Sequence, residues 1–239
     1  MEIRGKSWDD YWRDSAPHRG LYALLARAYR RWIISLAVAH FFRSTFSDAP
    51  GRVYVHAGCG SAETDSRIGY REATIVLMDI SVEALKIARA TTRFPKAHVV
   101  CGDLFAPPFR TSSIDGAWNL GVVEHFYEPE IRRIFAGLGR ILKPDASALI
   151  LWPPVYGLSV LVLTSFLFVV NRLLRRSVTL YPDEVSRYRS IDQARGLLAG
   201  SGLRAERTHF GIRDLFTYVV LVATRERAPA SAPEATTSS

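Results

Sequence analysis

The stretch Val53-Tyr54-Val55-His56-Ala57-Gly58-Cys59-Gly60-Ser61-Ala62-Glu63 decides how this chain is read. A short apolar strand over 52–56 runs into a glycine turn, and the residues after it predict a helix over 62–69. Glycine at such a turn lets the backbone bend tightly and approach a ligand closely. The helix N-terminus that follows can face the polar groups of that ligand. Alone the pattern is shared by many nucleotide-binding folds, and by glycine turns that bind nothing.

Outward from this point, strand and helix signals alternate. Apolar runs predict strands over 73–78, 97–101, 114–119 and 146–152, with helices over 81–92 and 128–141 between them. Ser81 is a good N-cap for the first of these helices. A further helix over 191–199 closes at Gly200-Ser201-Gly202, and strands follow over 204–210 and 216–224. Alternating elements of this kind imply an α/β fold, a Rossmann-like parallel sheet with helices on both faces. Before the glycine turn, residues 20–46 predict one long helix, with Leu21, Leu25, Ala28, Trp32, Leu36 and Ala39 at helical spacing. Its second half is apolar nearly all round, which implies burial on several sides. The tail over 228–239, rich in Ala, Pro, Ser and Thr, predicts disorder.

Three further segments end strands on the side of the glycine turn. Asp79, in Val76-Leu77-Met78-Asp79-Ile80, lies 21 residues after Gly58. A carboxylate there can accept hydrogen bonds from both hydroxyls of a ribose, a spacing that suits a nicotinamide dinucleotide equally well. Cys101-Gly102-Asp103-Leu104 places another acid at the end of the third strand, where it can accept from an adenine amino group. The fourth segment, Asp115 to Phe126, carries Asn119, Leu120, Glu124 and His125 into the same crevice. Each has a plain alternative: a helix cap for Asp79, a loop carboxylate for Asp103, a packed helix start for His125. Their agreement on one edge of the sheet outweighs any one of them.

Together these residues resemble the class I S-adenosylmethionine (SAM)-dependent methyltransferases, especially the group of small-molecule and quinone methyltransferases, over roughly residues 51–227. The resemblance implies a seven-stranded sheet whose last strand is antiparallel. It implies a cofactor site in which Gly58, Cys59 and Gly60 hold the methionine part of SAM and Asp79 with Ile80 the ribose. Asp103 and Leu104 would flank adenine, and Asn119 and Leu120 would line the methyl-donor site. Leu142-Lys143-Pro144-Asp145 is similar to the family's turn before the fifth strand, where glycine usually replaces Asp145 or Ala146. Two departures stand out. His56 occupies a position usually acidic, and Ala62 one usually glycine. Glu63 and Glu124 are the acids considered to compensate for His56. The rival from another class is NAD binding, whose fingerprint needs glycine at position 63. Glu63 stands there, and a carboxylate at a helix start repels a pyrophosphate.

Composition bounds the partners. The 239 residues carry a formal charge of +8, and 27 of the 31 basic residues are arginine. An anionic membrane surface or a nucleic acid would account for this, and so would scattered surface arginine. Nucleic acid is the runner-up acceptor, supported by charge alone. Two cysteines, Cys59 and Cys101, make neither a disulfide framework nor a metal cluster, and the expected compartment is the cytoplasm. The mixed-charge N-terminus has no apolar signal core. Residues 155–171 are free of charge, and Arg172, Arg175 and Arg176 follow. That run is just long enough to span a bilayer, but a crossing would place the last strands on the wrong side from the rest of their sheet. It reads instead as an apolar helix in an insertion over 153–189 that covers the acceptor pocket, packs in the core or meets the inner face of a membrane. The division expected is a helical cap over 1–50, a methyltransferase domain over 51–227 and a tail. The acceptor expected is a hydrophobic small molecule or a lipid-like one. His125 and Tyr127 are the candidates for a general base where the acceptor holds its proton at neutral pH. A SAM-binding protein without catalysis is the remaining reading, motivated by His56 and Ala62.

Overall fold

The computed structural model describes residues 2–3, 6–14, 27–157 and 184–227. Seven strands form one sheet: β1 (Val53–Ala57), β2 (Thr74–Asp79), β3 (Ala97–Cys101), β4 (Ile114–Leu120), β5 (Leu142–Trp152), β6 (Leu203–His209) and β7 (Val219–Arg225). Their order across the sheet is β3-β2-β1-β4-β5-β7-β6. The first five pair in parallel, and β7 runs antiparallel to both β5 and β6. The antiparallel last strand and the Rossmann-like architecture are as expected from the resemblance. The order reverses between β1 and β4, the switch point at which open α/β sheets bind ligands beyond their carboxyl strand ends.

Alternation along β1 divides the core. Val55 and Ala57 face α4 (Glu128–Ile141) and α5 (Ile191–Leu198), where Ile131, Ile134, Phe135, Leu138, Leu197 and Leu198 are buried. Tyr54 faces the other side, with α2 (Ser35–Thr45) and α3 (Val82–Thr91). Both faces are therefore covered, as a parallel sheet requires. The helices start where local chemistry says they should. Ser81 Oγ accepts from the Ala84 N–H at 3.1 Å, and Ser190 Oγ from Gln193 N–H at 3.2 Å. At α4, Glu130 accepts from the Tyr127 N–H at 2.9 Å, and Pro129 sits in the first turn, where a missing N–H costs nothing.

Three expectations are corrected. The helix over 62–69 is only a 3₁₀ turn, Glu63–Arg67. Ala62 before it adopts a left-handed φ of 51°, and Thr64 and Asp65 turn inward and are buried. The long N-terminal helix is helical from Arg27, its earlier part lying outside the described residues, and it contains a π-turn at Arg30–Ile34. A π-turn inserts one residue and rotates the face that follows. The buried stripe is accordingly Ile34, Ala37, Val38, Phe41 and Phe42, whereas Ala28, Trp32 and Leu36 of the anticipated stripe are exposed. Apolar composition all round thus does not bury the helix all round. The turn expected at 142–145 lies inside β5, with a register irregularity opposite β4. Asp145 there takes φ 62°, the conformation for which glycine is usual.

A short helix, α1 (Trp8–Asp14), packs across the strand ends. Asp9 accepts from the Ser81 hydroxyl at 2.6 Å and from the Glu83 N–H at 3.2 Å. Most of the apolar insertion, 158–183, and the tail lie outside the described residues.

Candidate functional site

The glycine turn and the end of β2 form one hydrogen-bonded unit. Gly58 and Cys59 N–H both donate to the Met78 carbonyl, at 2.8 and 2.9 Å. Gly60 N–H donates to Asp79 Oδ2 at 2.8 Å, and Ser81 N–H to Asp79 Oδ1 at 2.9 Å. Gly58 has φ 74° and Gly60 φ 51°, both in the region where a Cβ is costly. At Gly60 a Cβ would also lie 2.7 Å from the Trp12 ring, so α1 rests directly on the loop. Asp79 is buried, and desolvation raises its pKa against the two N–H bonds that lower it. Each carboxylate oxygen retains a second lone pair for a ligand hydroxyl. Ile80 beside it is partly exposed.

His56 lies beneath this loop and is not without an acid. Its Nδ1 is 2.7 Å from Asp65 Oδ2, with both side chains buried. Asp65 Oδ1 accepts from Trp118 Nε1 at 3.3 Å, and the His56 and Trp118 rings stack at 4.6 Å. Neither Glu63, whose carboxylate is 3.8 Å from Arg30, nor Glu124 supplies that carboxylate. The left-handed Ala62 and the 3₁₀ turn deliver Asp65 instead.

At the end of β4, Asn119 is fully buried and donates through Nδ2 to the Ala57 carbonyl, next to the glycine loop. Its Oδ1 has no hydrogen-bond partner among the described residues, and the same holds for Glu124 Oε2. Burial pushes the Glu124 carboxyl up to about 8. The Glu124 carbonyl accepts from Val185 and Ser186 N–H at 2.8 and 3.0 Å, which brings the last residues of the insertion to this corner. Leu120 is half-buried here. His125 is also half-buried, its ring centroid 5.9 Å from that of Trp8. Tyr127 points outward, 67% exposed. Asp103 accepts from the Phe105 N–H at 2.9 Å within its own turn, and Leu104 is buried beside it. Cys59 is buried, and burial drives its thiol pKa up, which keeps it protonated and unreactive.

The fold thus brings Gly58, Cys59, Gly60, Asp79, Ile80, Asp103, Leu104, Asn119, Leu120 and His125 to one edge of the sheet, and leaves Tyr127 facing solvent. Sequence reasoning missed Asp65, Trp118, Trp12 and Asp9. The aromatic-acidic run Trp8-Asp9-Asp10-Tyr11-Trp12 was the one available hint of α1's role.

The strand order, the glycine loop and the acids at successive strand ends are those of the SAM-dependent methyltransferase fold. Residues 55–150 match the family described as Methyltransferase domain. A malonyl-[acyl-carrier protein] O-methyltransferase of Methylovorus sp. (strain MP688) is 28% identical over 98 residues, 37% of this chain and 32% of that protein. The chain therefore spans about a third of that relative's length. Among solved structures, magnesium protoporphyrin IX methyltransferase from Synechocystis PCC 6803, with bound SAH, superposes with a TM-score of 0.64 at 16% identity, covering 91% of this chain and 94% of that one. Geranyl diphosphate C-methyltransferase from Streptomyces coelicolor A3(2) gives 0.55 at 16%, covering 79% and 78%. At these identities the structures speak for the fold.

Proposed function

We propose that this chain transfers a methyl group from SAM to a hydrophobic small-molecule or lipid-like acceptor. The observation that carries the reading is the pair of buried hydrogen-bond acceptors beside the glycine loop: Asp79, bonded to Gly60 N–H, and Asn119 Oδ1, with no partner among the described residues. A crevice rich in acceptors suits a ligand that brings a sulfonium, an ammonium and ribose hydroxyls, and it disfavours a pyrophosphate. In this reading Gly58, Cys59 and Gly60 hold the methionine part and Asp79 with Ile80 the ribose. Asp103 and Leu104 flank adenine, and Asn119 and Leu120 border the donor methyl.

SAM when bound supplies a methyl already activated by its sulfonium. What remains for the protein is alignment and the exclusion of water. Trp12 and Trp8 on α1 are placed to exclude water over the loop. His125 is the candidate to take a proton from a hydroxyl acceptor; Tyr127, turned to solvent, is the weaker one.

Support for an apolar acceptor comes from the rim. Tyr156, Phe210 and Phe216 are partly exposed and meet edge to face in series, with centroids 5.1 and 5.4 Å apart. The uncharged run over 155–171 begins there. The structural neighbour that acts on geranyl diphosphate and the relative that acts on a malonyl-acyl carrier are in keeping with small-molecule acceptors. The cap over 1–50, the domain over 51–227 and peripheral membrane contact through 155–176 belong to the same proposal. Among the described residues no helix is long and apolar enough to cross a membrane.

The test is calorimetric titration with SAM, then transfer of labelled methyl from SAM into lipid and small-molecule extracts. Label in an organic-soluble product is the expected result. Absence of SAM binding by the folded chain overturns the proposal, and label confined to nucleic acid overturns the acceptor class.

A further inference from the structure

A further concavity among the described residues is lined by none of the residues proposed to hold the cofactor. It is an open groove of about 820 Å³ along the outer side of α2, lined by Leu36, Ala39, His40, Arg43, Ser66, Arg67 and their neighbours, with Arg213 at one edge. No Asp or Glu lines it. Two of its three arginines are held in place by the fold. Arg43 Nε donates to the Ile68 carbonyl at 2.9 Å and Nη2 to the Arg67 carbonyl. Arg67 Nε donates to the Arg31 carbonyl at 3.3 Å, and its guanidinium lies 4.5 Å from the centroid of the Trp32 ring. Arg213 is exposed and makes no ion pair among the described residues. It projects from a turn anchored by its neighbour Asp214, which is buried and accepts from the Tyr218 N–H at 2.7 Å. Guanidiniums ordered before a ligand arrives lose less entropy when it binds, which favours binding of an anion. The positive field already acts inside the groove: burial, and then Arg213 and His209, lower the pKa of His40.

The rim of the groove is apolar. Trp32 is 57% exposed, Leu36 52% and Ile212, beside Arg213, 67%. Trp32, Leu36, His40 and Arg43 recur at four- and three-residue spacing, so one outward stripe passes from apolar to cationic along the helix. A soluble anion would use the arginines and leave these side chains in water. A nucleic acid would stack on Trp32 but has no use for Leu36 and Ile212. An anionic bilayer surface uses both, with phosphate at the arginines and tryptophan at headgroup depth.

From this juxtaposition we infer that the α2 groove is a docking site for the phosphate headgroups of an anionic lipid surface. The groove shares no lining residue with the proposed cofactor crevice, so the inference stands or falls independently of that site.

The test is co-sedimentation of the full chain with vesicles of phosphatidylcholine alone and of phosphatidylcholine with phosphatidylglycerol. Binding is expected only to the anionic vesicles and is expected to weaken with salt. The double variant Arg67→Gln, Arg213→Gln should lose about thirty-fold in affinity, each arginine contributing about 1 kcal/mol at such a surface. Trp32→Ser with Leu36→Ser should weaken binding while leaving the salt dependence in place. SAM titration of each variant, expected to match the unsubstituted chain, reports that the fold and the cofactor site are intact. Undiminished vesicle binding by the arginine variant overturns the site. So does binding to phosphorylated glycerol or to a short RNA with no vesicle binding, since either would assign the groove to a soluble anion or to nucleic acid.

Discussion

The ends of β1 and β4 are neighbours at the switch point of the sheet, yet the buried carboxylates beside them are treated differently. Beyond β1 both oxygens of each buried carboxylate are partnered, while His56 Nε2 has no hydrogen-bond partner among the described residues. Asp65 takes hydrogen bonds from His56 and Trp118, and Asp79 takes them from Gly60 and Ser81. Beyond β4, Asn119 Oδ1 and Glu124 Oε2 are buried with no partner among the described residues. In the first region the carboxylates of Asp65 and Asp79 hold the polar groups around them. The second keeps acceptors at high energy, the arrangement expected where a ligand rather than the protein completes the hydrogen bonds. The difference can be broken or sharpened at four positions.

The largest effect is expected at Asp65. Asp65→Ala leaves the buried Nδ1 of His56 and Nε1 of Trp118 without an acceptor. At about 1–3 kcal/mol for each unsatisfied group, the loss of stability should be on the order of 4 kcal/mol in a denaturant titration. A loss below about 1 kcal/mol would mean that the triad is not what closes the β1 side. Asp79→Ala comes next. It should weaken SAM binding by about 1.5–3 kcal/mol, the range for charge-assisted hydrogen bonds. Calorimetry on the folded variant measures it, and unchanged affinity would remove Asp79 from the proposed site.

Glu124 is the test of the β4 side. Its folded pKa is raised to about 8 from an ordinary value of 4.5, so the folded state holds the proton more tightly than the unfolded one. Stability is then highest below the ordinary value and is lost as pH rises through the folded pKa, by at most about 1.4 kcal/mol per pH unit. Asp79 and Asp214, also raised by burial, add to the same trend. Glu124→Gln should flatten the stability profile between those two pH values relative to the unsubstituted chain. Parallel profiles would show that Glu124 is ionised and partnered. The smallest effect is expected at Ala62. Its φ of 51° is strained for a residue with a Cβ. Ala62→Gly should raise stability by about 1 kcal/mol, seen as a higher denaturant midpoint at unchanged slope. A lower midpoint would show that the packing of the Ala62 methyl matters more than its strain.

Much of this molecule is legible in its sequence for a local reason. The strands at 53–57, 74–79 and 97–101 are short apolar runs ended by turn residues, and their positions were anticipated to within a residue or two. Ser81 was readable as a cap because a cap acts on a backbone N–H three residues away. The amphipathic stripe of the N-terminal helix was misread because a π-turn changes its phase, and nothing in Arg30-Arg31-Trp32-Ile33-Ile34 announces one. Asp79 could be placed at the glycine loop because the next parallel strand ends on the same edge of the sheet as the first.

What the sequence determined by itself, then, is the alternation of elements, the edge of the sheet at which Gly58, Asp79, Asp103 and Asn119 gather, and the class of fold. These follow from hydrophobic period and chain connectivity, which act over a few residues at a time. Only the tertiary structure decided that Asp65 supplies the acid His56 lacks and that Trp12 rests on Gly60. It alone revealed that the arginines of α2, the 3₁₀ turn and the β6–β7 turn share one groove. The partners in these contacts are separated by between 9 and 170 residues of chain. Such pairings depend on how whole elements pack, and no pattern within a single segment encodes them.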